Sequence, residues 1–294
     1  MPSVILGTYP LRNRAMDVAV DAALGCGYRG FDTAHLYRNE DSLGRSLEKL
    51  MPKHGVKRKE IFITTKVSED RVAGAPNATL FTASFRGEKK DIRKIVNTQV
   101  EESLAKLKSD YIDLLLIHWP IADYFGEIWQ TFGEIYTSGK VRAIGVSNCF
   151  EWHLKKLLDA GGPLPMVNQI ERHPLNTQQG MIYLCNKLGI QLQAYSPLRF
   201  GGHRQKKLPP TLLKLAEKYQ KSVAQIVLRW DIQQGVIPLP KSRTPQRIEE
   251  NIAIFDFALT ADELTQIDLL NENYAFLPGE DNCHGWNAFK TMPV

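Results

Sequence analysis

Four side chains in the first half of the chain are of types that can hold and deliver a proton: Asp32, Tyr37, Lys66 and His118. Asp32 and Lys66 each close a short apolar run, where an unpaired charge at the rim of a core is costly. Pairing them removes most of that cost, and taken alone the pair reads as a structural ion pair. Tyr37 changes the reading. A phenol with an ordinary pKa of about 10 is a poor acid near neutrality, but an ammonium within reach lowers it by ~1–3 units, roughly 1.4–4 kcal/mol. Singly, Tyr37 reads as a half-buried loop aromatic, and His118, ahead of Trp119-Pro120, as a satisfied histidine at a strand end. Their convergence on Asp32 and Lys66 points instead to acid–base chemistry.

Convergence requires elements that bring these positions together. Short β-branched or apolar runs predict eight strands: Val4–Tyr9, Arg29–Thr33, Ile61–Val67, Ile112–His118, Val141–Ser147, Met166–Glu171, Gln191–Tyr195 and Val236–Pro240. Helical spacing follows each, over Ala15–Leu24, Ser42–Leu50, Ile92–Lys108, Ile128–Thr137, Trp152–Asp159, Gln179–Lys187, Thr211–Tyr219 with Val223–Gln233, and Gln246–Ile254. Thr260 with Glu263 has the spacing of a capping box and starts a last helix, Ala261–Leu270. Gly139 and Gly189 sit where helices exit through a left-handed residue.

Eight strand–helix units form either an open doubly wound sheet or a closed parallel barrel. The first turn reads Gly7-Thr8-Tyr9-Pro10-Leu11-Arg12, without the glycine fingerprint of a dinucleotide-binding open sheet. Asp32, Lys66, His118, Asn148, Gln169, Ser196 and Lys241 fall at the C-terminal ends of seven different strands, which in a barrel is one mouth. The fold class is therefore α/β, a (β/α)8 TIM barrel, with residues 1–294 forming a single domain. Two long loops, Ser68–Asp91 and Leu198–Pro210, leave that mouth, and the tail Asn273–Val294, with Trp286 and Phe289, is a third cover.

Composition excludes several classes. The net charge of +5 is spread over interrupted clusters, Lys57-Arg58-Lys59, Lys89-Lys90 and Arg204–Lys207, which read as solvated faces; no nucleic-acid partner is implied. Cys26, Cys149, Cys185 and Cys283 lie far apart without a C-x-x-C pair, so no metal is expected and the thiols read as reduced. No apolar run is long enough for a membrane span or a signal sequence, which leaves a cytoplasmic chain, monomer or weak dimer, as the expectation.

With these residues in view, the segment Gly30-Phe31-Asp32-Thr33-Ala34-His35-Leu36-Tyr37-Arg38-Asn39-Glu40 resembles the aldo-keto reductase signature around the catalytic aspartate and tyrosine. Ile63–Lys66 resembles the family's lysine strand, Asp113–Pro120 its histidine strand and Ile144–Asn148 its carboxamide-binding strand. Ile237–Ser242, with Arg247, Glu250 and Asn251, is similar to its adenosine-phosphate motif. The likeness runs from about Ile5 to Asn271.

The resemblance implies reduction of aldehydes or ketones with NADPH. It makes Tyr37 the general acid, Lys66 its activator held by Asp32, and His118 the group that orients the carbonyl. It assigns Thr8, Tyr9, Asp32, Ser147, Asn148 and Gln169 to the cofactor, with Tyr195 stacking on the nicotinamide and Ser196, Pro197 and Leu198 wrapping the pyrophosphate. Leu239, Lys241, Ser242, Arg243, Arg247, Glu250 and Asn251 are assigned to the adenosine end. Two or three cations there favour NADPH over NADH, although Arg247 and Glu250, spaced i, i+3, can also be an ordinary helix-surface pair.

Tyr9, Tyr37, His118 and Trp119 are the expected substrate contacts, with Tyr124, Phe125, Phe85 or Trp286 as further aromatic wall. Two departures from the family stand out. The first strand opens almost at residue 1, where members usually carry an N-terminal hairpin beneath the barrel, so that hairpin is expected to be missing and the floor closed by larger side chains or a partner. After Lys66 the chain has Val67-Ser68 in place of Leu-Trp, which alters the pocket. Two rival readings are a cofactor-sensing binding protein and an aldolase-like barrel with Lys66 as Schiff-base lysine.

Overall fold

A computed structural model describes residues 1–67, 91–120, 124–159, 161–199 and 208–277. Its strands are β1 (Leu6–Gly7), β2 (Gly30–Asp32), β3 (Phe62–Val67), β4 (Leu114–Ile117), β5 (Ile144–Ser147), β6 (Val167–Glu171), β7 (Gln191–Tyr195) and β8 (Ile237–Leu239). All pair in parallel and in sequence order. The Ile5 N–H donates to the Pro238 carbonyl (3.2 Å) and the Gly7 N–H to the Pro240 carbonyl (3.0 Å), tying first strand to last, so the sheet closes into a barrel.

All eight predicted strands are present, and β7 coincides with its prediction. The others are shorter at one or both ends, because the apolar run extends beyond the paired residues into the packing beneath the helices. Ile112 and Val141, for example, form only an isolated bridge.

Ten helices are described: α1 (Asn13–Gly25), α2 (Glu40–Leu50), α3 (Ile92–Leu107), α4 (Phe125–Thr137), α5 (Glu151–Asp159), α6 (Gln179–Leu188), α7 (Pro210–Tyr219), α8 (Val223–Gln233), α9 (Pro245–Ile252) and α10 (Ala261–Asp268). Thr260 and Glu263 form the capping box, each side chain accepting from the other's backbone N–H. Gly139 and Gly189 have φ of +80° and +70°. Helix α4 starts three residues before its prediction because Phe125 is buried. Helices α9 and α10 end two residues early. Three single-turn 3-10 helices, His35–Tyr37, Pro52–His54 and Arg58–Glu60, are too short to carry a period and escape sequence reading.

The period of two along each strand sorts the side chains. Leu6, Phe31, Ile63, Leu115, Val146 and Leu192 pack outward in the large cluster beneath the helices. Ile5, Phe62, Ile237 and Leu239, and beside them Leu114, Leu116 and Val167, fill the interior. Gly30 is required here, since a Cβ would stand 2.7 Å from Ile5 Cγ1. Residues 1–5 form no strand, and the sheet contains no antiparallel hairpin among the described residues. Met1, whose Sδ accepts from Gln193 Nε2 (3.2 Å), remains 52 % exposed, and Met166 37 %.

Phe85, Trp286, Phe289, Cys283 and most of the loops 68–91 and 198–210 and of the tail from Asn273 lie outside the described residues. Among the described residues no helix is long and apolar enough to cross a membrane, and no group of three or more metal-ligating side chains occurs.

Candidate active site

Continuing the same alternation upward from the apolar interior brings Asp32, Lys66, Ser147, Gln169 and Tyr195 to the inner face at the C-terminal rim, with His118 one residue past β4. Lys66 is fully buried; its Nζ donates to Asp32 Oδ1 at 2.6 Å and to the Thr33 carbonyl at 2.8 Å. Burial pulls its pKa below the ordinary lysine value, opposed by the charge and hydrogen bond of Asp32 and then by the charge of Glu40. Both atoms that it touches among the described residues are acceptors, an arrangement that suits an ammonium.

Tyr37 ends the 3-10 turn His35–Tyr37, and Arg38 leaves that turn in the left-handed region (φ 51°). Its ring lies 5.1 Å from Lys66 Nζ, centroid to nitrogen. The His118 ring meets it edge-on at 5.7 Å and 80°, and the Tyr9 ring is 5.0 Å away. His118 is buried, and its pKa is held well below the ordinary histidine value by desolvation first and the nearby Lys66 charge second, so its imidazole is neutral at pH 7. Trp119 is buried with its ring 6.5 Å from that of His118, whereas Tyr9 is 60 % exposed at the rim.

A second polar layer supports the first. Gln169 Nε2 donates to Asp32 Oδ2 (2.8 Å) and to Gln193 Oε1 (2.8 Å), while Gln169 Oε1 accepts from none of the described residues. Ser147 Oγ donates to the Gln169 carbonyl. Asn148 Nδ2 donates to the His118 carbonyl (3.0 Å), and the Tyr195 hydroxyl donates to Asn148 Oδ1 (2.8 Å). Asn148 and Ser196, each just past its strand, have positive φ (59° and 54°), a strained conformation for residues with a Cβ. Pro197 is buried and Leu198 half-buried beyond them.

At the far side of the rim, Lys241, Ser242 and Arg243 follow β8, and Arg247 is in the first turn of α9. Desolvation, then the like charge of Arg243, lowers the Lys241 pKa. Ser242 Oγ accepts from the Thr244 N–H (3.0 Å) and donates to its carbonyl (3.3 Å). No ion pair joins Arg247 to Glu250 among the described residues. Asn251 and Leu239 are buried. Tyr124 is half-buried, and Phe125 packs in the outer core against α4's neighbours, away from a pocket role.

Three residues escaped the sequence reading. Asn39, fully buried, donates from Nδ2 to the carbonyls of Thr8 (3.1 Å) and Leu11 (3.0 Å) and accepts from the Thr33 hydroxyl (2.7 Å), clamping the first loop to the tyrosine turn. Thr8 in turn donates its hydroxyl to the Asp32 carbonyl (2.8 Å). Glu171, the last residue of β6 and in register with Tyr195, accepts from the N–H groups of Phe276 (2.6 Å) and Leu277 (2.9 Å) and holds the C-terminal segment at the rim. It stands at the end of a predicted strand, as Asp32 does, but its partners far along the chain leave no local mark in the sequence. Gln193 had none, since a polar residue inside a strand reads as solvent-facing.

A model of the aldo/keto reductase family matches residues 4–272. The glyoxal reductase of Bacillus subtilis is 41 % identical over 283 residues, covering 96 % of this chain and 93 % of the relative. The methylglyoxal reductase DkgA of Escherichia coli K12 is 38 % identical over 291 residues, 97 % of this chain and 95 % of the relative. Among solved structures, the Bombyx mori aldo-keto reductase AKR2E4 in complex with NADP superposes with a TM-score of 0.82 at 37 % identity, covering 96 % of this chain and 92 % of that one. On the family match and this extent of identity, the chain belongs to the aldo/keto reductase family.

Proposed function

We propose that the protein reduces small aldehydes or ketones with NADPH, Tyr37 delivering the proton to the carbonyl oxygen. The observation that carries the reading is the buried ammonium of Lys66, anchored 2.6 Å from Asp32 and 5.1 Å from the Tyr37 ring. A positive charge fixed there stabilises the phenolate that Tyr37 becomes on giving up its proton. His118, neutral, donates a hydrogen bond to the same carbonyl oxygen without competing for the proton. In the oxidative direction, Tyr37 takes the proton back from the alcohol.

The side chains fit a nicotinamide dinucleotide phosphate, which supplies the hydride when bound. The uncommitted Gln169 Oε1 suits the carboxamide NH2, with Ser147 and Asn148 beside it, and Tyr195 offers its ring face. Thr8, Tyr9 and Asp32 border that ring site, and Ser196, Pro197 and Leu198 line the way to the pyrophosphate. Lys241, Ser242, Arg243 and Arg247 supply cations and a hydroxyl for the 2′-phosphate, with Leu239, Glu250 and Asn251 around the adenosine. Two relatives are named for glyoxal and methylglyoxal, which makes short 2-oxoaldehydes the first substrates to test; Tyr9 and Trp119 also suit carbonyls with a flat apolar portion.

NADPH oxidation is measured with glyoxal, methylglyoxal, aromatic aldehydes, keto acids and sugars, for wild type and Tyr37→Phe. Turnover of at least one carbonyl, lost by roughly 10²–10⁴-fold in Tyr37→Phe with NADPH affinity retained, is the expected result. Full activity of Tyr37→Phe refutes the assignment, and NADPH binding without any turnover favours a sensing role.

A further inference from the structure

We propose that Glu40 is a positioning residue for this reaction: its buried carboxylate, fastened to Thr65, places a second negative charge behind the Lys66 ammonium and so tunes proton delivery by Tyr37. The proposal rests on the reading of Tyr37 as the proton donor. Glu40 is the first residue of α2, three residues after Tyr37, and is 1 % exposed. Its Oε1 accepts from the Thr65 hydroxyl at 2.6 Å, on the outward face of β3 next to Lys66. Its Oε2 is buried without a hydrogen-bond partner. The nearest cation, Lys106 Nζ on α3, stands 4.0 Å away.

Gly44 brings that lysine within range. Helix α2 lies so close to the end of α3 that a Cβ at Gly44 would stand 2.3 Å from the Lys106 carbonyl oxygen. Lys106 is shared with Glu102 (3.5 Å) and His35 Nε2 (3.5 Å), and His35, in the same turn as Tyr37, contacts Glu102 at 3.1 Å. The charged and titratable groups around Glu40 are thus Lys66 on β3 with Asp32 beyond it, His35 in the turn, and Lys106 and Glu102 on α3.

A carboxylate with one hydrogen bond and a distant, shared cation is an expensive thing to bury. An amide of the same shape would tie α2 to Thr65 at lower cost, and the start of a helix offers only part of the difference back. What distinguishes the carboxylate is its charge, and that charge strengthens the hold of Lys66 on its proton. Asp32 positions the ammonium from inside the barrel, and Glu40 supports it from outside the wall.

Glu40→Gln keeps the shape and removes the charge. Loss of a nearby negative charge weakens proton binding at both Lys66 and Tyr37, so the alkaline limb of kcat/KM for carbonyl reduction moves towards acid by roughly 0.5 pH unit or more, with KM for NADPH unchanged. Thr65→Val removes the only hydrogen-bond donor that fastens the Glu40 carboxylate among the described residues, and shifts the limb in the same direction; the double variant shifts it no further. An active Glu40→Gln enzyme with the wild-type limb overturns the proposal, whatever its activity. Should Glu40→Gln fail to fold, an unmoved limb in Thr65→Val overturns it.

Phenolate absorbance, taken as wild type minus Tyr37→Phe and as Glu40→Gln minus the corresponding double variant, follows Tyr37 without turnover. A wild type that reduces no carbonyl therefore fails the functional reading, while the same acid shift in this titration still supports the charge assignment, and its absence refutes it.

Discussion

Lys66→Met is the most direct test of the electrostatics at the barrel mouth. Lys66 and Asp32 have side chains 1 % and 5 % exposed, and among the described residues Asp32 keeps only Gln169 Nε2 as a side-chain partner once the lysine is gone. A buried carboxylate without its cation takes up a proton. Holding a group of ordinary pKa about 3.9 protonated at pH 7 costs 1.36 kcal/mol for each of about 3 units, or about 4 kcal/mol, within the 3–5 kcal/mol range for breaking buried pairs from one side. At ~2–4 °C per kcal/mol the melting temperature falls by roughly 8–15 °C.

The sign with pH is equally specific. A buried carboxylate stripped of its cation holds a proton in the folded variant that the unfolded chain gives up at neutral pH, so the deficit relative to wild type is largest there and shrinks by about 1.4 kcal/mol per unit as pH falls towards 4. Adding Asp32→Asn removes the orphaned charge, so the double variant is more stable than Lys66→Met while remaining as inactive. The assay is urea unfolding at several pH values beside NADPH oxidation. A deficit under about 1 kcal/mol that does not change with pH, or a double variant less stable than the single one, refutes the reasoning.

Arg247→Ala is expected to raise KM for NADPH by roughly 10–100-fold, the worth of a charge-assisted hydrogen bond, and to leave that for NADH unchanged; an equal effect on both counts against a 2′-phosphate contact. His118 and His153 are both held below the ordinary histidine value by burial, His153 to about 3. The unfolded chain takes up protons below about pH 6.5 that the folded protein refuses, so stability is complete above that pH and lost as pH falls towards about 3, by ~1.4 kcal/mol per histidine one unit below 6.5. Equal urea midpoints at about pH 7.5 and 5.5 contradict this. Glu171→Ala should speed hydrogen exchange at the Phe276 and Leu277 amides by roughly tenfold or more, and unchanged protection there excludes Glu171 as the tether.

The barrel was legible because apolar runs and helical spacing alternate eight times, and period two then carries Asp32, Lys66 and Gln169 to one rim without knowledge of any contact. Tyr37 was different. It stands in a one-turn helix with no periodicity, and only the motif around Asp32 marked it. Asn39 shows what spacing hides: it stands just ahead of α2, yet its side chain makes no cap bond and instead spans two loops. Gln193 and Glu171 were hidden for a related reason, since their partners, Gln169 in space and Phe276 far along the chain, leave no local signature.

The groups proposed to handle the proton reside on β2 and β3, just past β4 and on one clamped turn, whose geometry is fixed by the wall itself. On that reading, the loops that follow the strands can be exchanged with the reaction preserved and the guest changed. An engineer seeking a new carbonyl would recombine those loops and leave the eight staves of the cask as they are.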